Sequence, residues 1–220
     1  FAVFLSAVSN FYFFYILAAL TAVYVLSRLL TLPHRNFRDK LFIFLQISIF
    51  SILGVLMAAF ILLPMCHALV NTPRLSSGSV FRFFYPVSYY KQLPGQFLVQ
   101  TGLPQDWICM GYTAPTLPAI FLLFKKKHKF YLPKILFLIG LLFMLFPIFG
   151  KILNGFSYES NRWSFGFALL NAYILAFMWP YLMKLTQKEW SFLFLCTLLY
   201  FTLCIMLEYS RSASVFISIS

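Results

Sequence analysis

Leu41 to Met65 reads LFIFLQISIFSILGVLMAAFILLPM, twenty-five consecutive residues without a charge and with Gln46 as their bulkiest polar side chain. A helix needs about 20 apolar residues to cross the ~30 Å of hydrocarbon in a bilayer. The run is apolar on every face, whereas a barrel strand would alternate polar and apolar positions over about 10 residues. It therefore predicts a transmembrane helix.

The same pattern recurs on both sides of it. Phe11–Ser27 is free of charge up to Arg28 and is separated by Ser9-Asn10 from the apolar stretch Phe1–Val8. Trp107–Phe124 holds Gly111, Pro115 and Pro118, breakers that membranes tolerate where neighbours satisfy the freed carbonyls. Phe130–Gly150, Trp163–Met183 and Trp190–Leu207 complete the series. The fold expected is an all-α polytopic transmembrane helix bundle, with six full spans and one partial span, forming a single transmembrane domain over residues 1–220. The chain opens at Phe1 inside an apolar run and stops at Ser218-Ile219-Ser220 after a charged turn, which reads as an internal piece of a longer protein.

Composition points the same way. Apolar and aromatic residues make up 62% of the 220 residues and charged ones 10%, against about 25% charged in a soluble domain. A soluble enzyme or binding module is excluded. The net charge of +12 does not imply nucleic acid, because Lys and Arg accumulate in the cytoplasmic loops of membrane proteins for topological reasons. Segments 28–40, 125–134 and 184–189 hold eleven basic residues, and the alternate loops hold six: Arg74, Arg82, Lys91, Lys151, Arg162 and Arg211. The first set is thus expected in the cytoplasm, and the long loop 66–106 outside. The run Lys125–Lys129 is read as topogenic charge, with an anionic-lipid patch as the alternative.

Most catalytic signatures are missing. There is no GxxxxGK[ST], HExxH, GxSxG or CxxC motif, which removes an ATP-driven pump, zinc-protease and serine-hydrolase chemistry from this stretch. No cofactor is identified, although a divalent metal is compatible with the sequence. His34, His67 and His128 are scattered over loops and read as ordinary loop residues. Cys196 and Cys204 stand about 12 Å apart on one helix, beyond the 7 Å reach of a disulfide. Cys66 and Cys109 both fall on the outer side, either as buried thiols or as a bridge.

Two outer features carry information. The loop 66–106 gathers Arg74, Arg82, Tyr85, Tyr89, Tyr90, Lys91 and several Gln residues, a mixture suited to sugar stacking and to bidentate phosphate contacts from Arg. An interfacial lid is the alternative. The second is Asn154–Ser164, where a polar turn leads into a span with Arg162 at its expected first turn. A cation at a helix N-terminus is unfavourable. Either Glu159 or an anionic ligand such as a phosphate would compensate it.

At these residues a family likeness emerges. Asn10-Phe11-Tyr12-Phe13-Phe14-Tyr15, Leu62-Leu63-Pro64 and Asn154-Gly155-Phe156-Ser157-Tyr158 with Asn161-Arg162-Trp163-Ser164-Phe165 resemble the bacterial YfhO-type membrane proteins. The likeness covers the whole chain, and the Asn-Arg-Trp-Ser block is its most specific element. It implies a GT-C-like fold and an enzyme that moves a sugar from a polyprenyl-phosphate donor to a cell-envelope acceptor such as teichoic acid, in the bacterial cell membrane. By their placement at an outer helix start and in the long loop, Arg162 is expected to contact the donor's phosphate with Asn161 beside it and Arg74 or Arg82 as helpers, which makes these four the expected substrate-binding residues. The catalytic Asp of such enzymes lies in a first outer loop that would precede Phe1, so no residue here is assigned as the base. The partners implied are membrane lipid, the lipid-linked sugar and the envelope polymer.

A transporter or flippase of a lipid-linked or amphipathic substrate is the alternative function, and a non-catalytic scaffold the third. No span carries a mid-span charge; Asn171 and Gln46 are the strongest polar intrusions and are expected to make interhelical hydrogen bonds. That pattern disfavours ion-coupled transport.

Overall fold

The computed structural model describes residues 1–33, 36–71, 82–97, 113, 115–126, 130–156 and 158–219. All regular structure among them is helical. The helices divide into two compact units, Phe1–Phe81 with Lys151–Glu159, and Arg82–Gly150 with Ser160–Ser220.

In the first unit α1 (Ala2–Ser9) and α2 (Phe11–Thr31) are separated at Asn10. The Asn10 backbone is extended, and its Oδ1 accepts from the N–H groups of Tyr12 and Phe13 at 3.1 and 3.2 Å. This is a side-chain N-cap, worth about 1 kcal/mol over an alanine there. α3 (Phe37–Met57) and α4 (Ala59–Val70) meet at the fully buried Ala58. The expected span Leu41–Met65 is therefore two helices, the first entering from Phe37. α1 lies against α3 at Gly54, where a Cβ would stand 2.9 Å from Val3 Cβ. Ala7, Ala58 and Leu62 form the core, flanked by Phe4, Phe11 and Phe14. At 21 residues α3 is about 31 Å long. Only 6% of its most apolar window is buried, so its Phe and Ile side chains face hydrocarbon.

The second unit is built around α6 (Thr116–Lys125). Thr116, Leu117, Ala119, Ile120, Leu122 and Leu123 are all buried, and a helix apolar all round belongs inside a bundle. α9 (Ser164–Leu182) packs on it and buries Ser164, Phe167, Asn171, Ile174 and Met178. That spacing of three and four residues is the a/d stripe of knobs-into-holes packing. α7 (Tyr131–Leu145) presents the same spacing at Pro133, Phe137, Gly140 and Met144. A Cβ on Gly140 would enter the ring of Phe167, which is itself held by Phe137 and Phe97 at centroid distances of 5.3 and 6.3 Å. A short helix α5 (Val87–Gln92), the 3₁₀ turn Pro94–Phe97, α8 (Pro147–Leu153) and α10 (Gln187–Ile219) complete the set.

Among the described residues four helices are long and apolar enough to cross a membrane, and five if the bent pair α7–α8 counts as one span. Of the expected span Trp107–Phe124, the described part is α6, about 15 Å long; residues 107–112 and 114 lie outside the described residues. Asn171 is buried within the α9 stripe, whereas Gln46 is exposed on α3 and makes no hydrogen bond among the described residues.

The multi-pass arrangement predicts that Phe83→Cys reacts with an impermeant maleimide in intact cells and Lys184→Cys does not, in a background without native cysteines. The reverse labelling would invert the orientation. Gly140→Ala should destabilise the folded protein by about 1–3 kcal/mol through overpacking, read as a lower Tm in detergent. An unchanged Tm would mean that α7 and α9 do not pack at this crossing.

Candidate functional site

Proline at position 147 sets the geometry of one end of the second unit. It supplies no N–H and disfavours helical backbone at the residue before it. Phe146 is accordingly extended (φ −121°, ψ 124°), and α8 leaves α7 at 99°. The last carbonyls of α7 then have no helical donors, and no water is present in hydrocarbon to replace them. Two tyrosines of α5 do so: Tyr89 Oη donates to the Met144 carbonyl at 2.8 Å, and Tyr90 Oη to the Leu145 carbonyl at 2.7 Å. Tyr90 Oη in turn accepts from the Tyr85 N–H at 3.2 Å.

The same tyrosines hold Asn161. Its Nδ2 donates to Tyr89 Oη at 3.2 Å, and its Oδ1 accepts from Tyr85 Oη at 3.4 Å. The Tyr85 and Tyr89 rings stack at 4.1 Å, and Asn161 and Tyr89 are 2% and 3% exposed. Gly150 makes room for this cluster, since a Cβ there would lie 3.0 Å from Tyr85 Oη and 3.1 Å from the Ser160 carbonyl oxygen. The Ser164 N–H bonds the Asn161 carbonyl at 2.9 Å, so the Asn161 backbone starts α9. Trp163, the N-cap residue, is buried against Phe143 with ring centroids 5.6 Å apart. Between these two anchored residues sits Arg162, half-buried. It occupies the turn before α9 rather than the expected first turn, and the helix end places partial positive charge next to it.

Close to the cluster runs an apolar cavity of about 610 Å³, lined by Tyr90, Phe97, Ile120, Phe137, Leu141 and Tyr200 among others. That lies within the ~300–1,000 Å³ range of ligand pockets. Both tyrosine hydroxyls on its wall are already bonded, Tyr90 to Leu145 and Tyr200 Oη to the Pro94 carbonyl at 2.7 Å. Among the described residues the wall thus offers mainly hydrocarbon.

In the first unit, Asn154-Gly155-Phe156 closes α8. The Phe156 N–H reaches the Lys151 carbonyl and the Gly155 N–H the Ile152 carbonyl, with Gly155 left-handed at φ +65°. This is the Schellman ending, for which glycine is the low-cost residue. Asn154 Oδ1 accepts from Tyr12 Oη at 2.6 Å, its Nδ2 donates to the Tyr158 carbonyl at 2.9 Å, and Tyr15 Oη donates to the Ile152 carbonyl at 2.8 Å. Two of the sequence blocks that carried the family likeness therefore meet in space.

Residues 1–219 match the family described as bacterial membrane protein YfhO. The chain belongs to the YfhO family. No curated protein and no solved structure matches it.

Of the four residues expected to bind substrate in this YfhO protein, Asn161 and Arg162 stand together on the tyrosine cluster. Arg82 is exposed and makes no hydrogen bond or ion pair among the described residues; Arg74 lies outside them. The one ion pair among the described residues is Lys126–Glu189, so Glu159 forms none there. Asp106, Cys109 and the side chain of Glu208 also lie outside the described residues, and Cys66, Cys196 and Cys204 are free thiols. No group of three metal-ligating side chains occurs among the described residues.

Tyr85 and Tyr89, in a loop whose composition suits either sugar stacking or an interfacial lid, stack on each other, with Tyr89 Oη donating to the Met144 carbonyl and Tyr85 Oη to the Asn161 side chain. The signal for this role was Pro147 inside an apolar run, which guarantees orphaned carbonyls in need of donors from elsewhere in the chain. Tyr89→Phe removes one hydroxyl that serves both Met144 and Asn161. Leaving such groups buried and unpaired costs roughly 1–3 kcal/mol, so this variant should lose more Tm than Tyr24→Phe, whose ring is exposed on α2. Equal Tm values would show that water or lipid replaces the hydroxyl.

Proposed function

We propose that the full-length protein is a membrane glycosyltransferase that uses a polyprenyl-phosphate sugar as donor and a cell-envelope polymer such as teichoic acid as acceptor. The observation that carries the reading is the pairing of a half-buried guanidinium with a hydrocarbon-lined cavity through one cluster: Asn161–Arg162 hang from Tyr85 and Tyr89, and the adjacent Tyr90 lines the cavity. An isoprenoid phosphate has the matching parts, an anionic head for Arg162 and an apolar chain for the cavity.

In this reading Arg162 grips the phosphate, Asn161 positions it without touching substrate, and Arg82 and Arg74 assist from the outer loop. Membership in the YfhO family supports the membrane setting; the lipid donor rests on site chemistry and on an outward orientation, since nucleotide sugars are kept in the cytoplasm. No catalytic base is assigned among Asp106, Glu159 and Glu208, and a divalent metal is left to experiment.

The second reading, a flippase for a lipid-linked substrate, is favoured by the broken span α7–α8, because interrupted helices line substrate paths in many transporters. Liposomes holding the full-length protein separate the two. Transfer of labelled sugar from a polyprenyl-phosphate donor to a teichoic-acid acceptor is expected, whereas donor crossing the bilayer without transfer would install the flippase reading, and transfer from a nucleotide sugar alone would remove the lipid donor.

Arg162→Ala should weaken donor binding by about 10- to 150-fold, the equivalent of a lost charge-assisted hydrogen bond at roughly 1.5–3 kcal/mol. Arg162→Lys should recover part of it, since Lys lacks the two-pronged fork. Undiminished donor affinity in Arg162→Ala would remove the phosphate role.

A further inference from the structure

Three helices of the second unit bring cations together at their ends. From the end of α6, Lys125 Nζ donates to the Lys188 carbonyl at 3.4 Å and stands 4.4 Å from the centroid of the Phe192 ring. Lys126 Nζ pairs with Glu189 Oε1 at 3.4 Å and stands 4.9 Å from the Tyr181 ring. From the first turn of α7, Lys134 Nζ donates to the Lys126 carbonyl. Lys188 is exposed beside Glu189 in α10. Glu189 is shared, because its Oε2 accepts from the Thr186 N–H and Oγ1, both at 3.1 Å, as the acid of a capping box.

Lys126 thus pairs with a carboxylate that already has other donors, while Lys125 and Lys134 reach backbone carbonyls at the same helix ends and Lys188 is exposed beside them. Topogenic charge requires only that the lysines lie in the right loop; it does not require them to converge. Convergence of like charges is unfavourable, increasingly so beside hydrocarbon where the effective dielectric falls. Each ammonium carries three N–H donors, and the contacts named use one apiece for Lys125 and Lys126. Donors therefore remain for an anion.

We infer that the α6–α7–α10 end, through Lys125, Lys126 and Lys188, binds the headgroup of an anionic phospholipid. The phosphodiester supplies the missing negative charge. The setting selects a lipid over a soluble phosphate: Phe192 lies under Lys125, and Trp190, 58% exposed on the same helix, is an interfacial ring suited to the headgroup boundary. Basic pockets between transmembrane helices on the cytoplasmic side are where anionic headgroups dock. This inference is independent of the glycosyltransferase reading.

The test is native mass spectrometry of the full-length protein in detergent, titrated with phosphatidylglycerol or phosphatidylcholine. Phosphatidylglycerol should be retained preferentially. Lys188→Gln should weaken its binding about fivefold, and Lys125→Gln with Lys188→Gln about 25-fold, at about fivefold per lysine. Lys188 lends only its carbonyl to the internal contacts, so Lys188→Gln keeps them all and a misfolded variant is not the explanation of a loss. Lys151→Gln, in α8 and expected on the other side, should leave binding unchanged. Equal retention of the two lipids, or wild-type phosphatidylglycerol binding by the double variant, would overturn the site. Displacement of phosphatidylglycerol by an equal concentration of glycerol phosphate would overturn the lipid as its ligand.

Discussion

A backbone carbonyl in hydrocarbon must find a donor within the protein, and at the end of α7 two carbonyls find theirs in tyrosines some fifty-five residues away in sequence. Pro147 creates that demand by ending α7 and turning α8 through 99°. Tyr89 meets it with an oxygen that simultaneously accepts from Asn161. One hydroxyl thus ties together a broken span, the short helix α5 and the start of α9. Because an unmet polar group costs more in lipid than in water, this arrangement is held more strongly than the same bonds would be on a wet surface.

The placement of Arg162 depends on that constraint, because the residues on either side of it are the ones held fast. Asn161 is fixed by two stacked tyrosines and Trp163 by burial against Phe143. Arg162 thus leaves a stretch of backbone anchored on both sides. The apolar cavity beside the cluster gains its character in the same way. Its tyrosines turn their hydroxyls to Leu145 and Pro94, and the wall they leave is hydrocarbon.

The two polar ends of the second unit show opposite uses of charge. Around Asn161 the hydrogen bonds to Tyr85 and Tyr89 join neutral side chains that are buried or half-buried. Around Lys126 and Glu189 the groups are charged and only partly buried, with one acid serving two roles at once. Exposed ion pairs of this kind contribute little to stability, about 0–1 kcal/mol. Their consequence is a local excess of positive charge close to the headgroup region.

The sequence by itself determined that the chain is a polytopic helical membrane protein. Charge-free runs such as Leu41–Met65 admit no other solvent, and helices satisfy their own backbone, so their formation is a local matter. The break at Ser9-Asn10 was legible for the same reason, and the structure makes Asn10 an N-cap for residues two and three positions ahead. Arg162 was found through a local electrostatic conflict. What the sequence did not decide was everything that depends on a partner far along the chain. The split of Leu41–Met65 at Ala58, the burial of the ten-residue α6 and the fate of the Met144 and Leu145 carbonyls all required neighbours that hydropathy cannot name. The outer tyrosines had the composition of a sugar platform, and only tertiary packing turned them inward, because orphaned carbonyls in hydrocarbon bind the nearest hydroxyl more strongly than solvent competes for it.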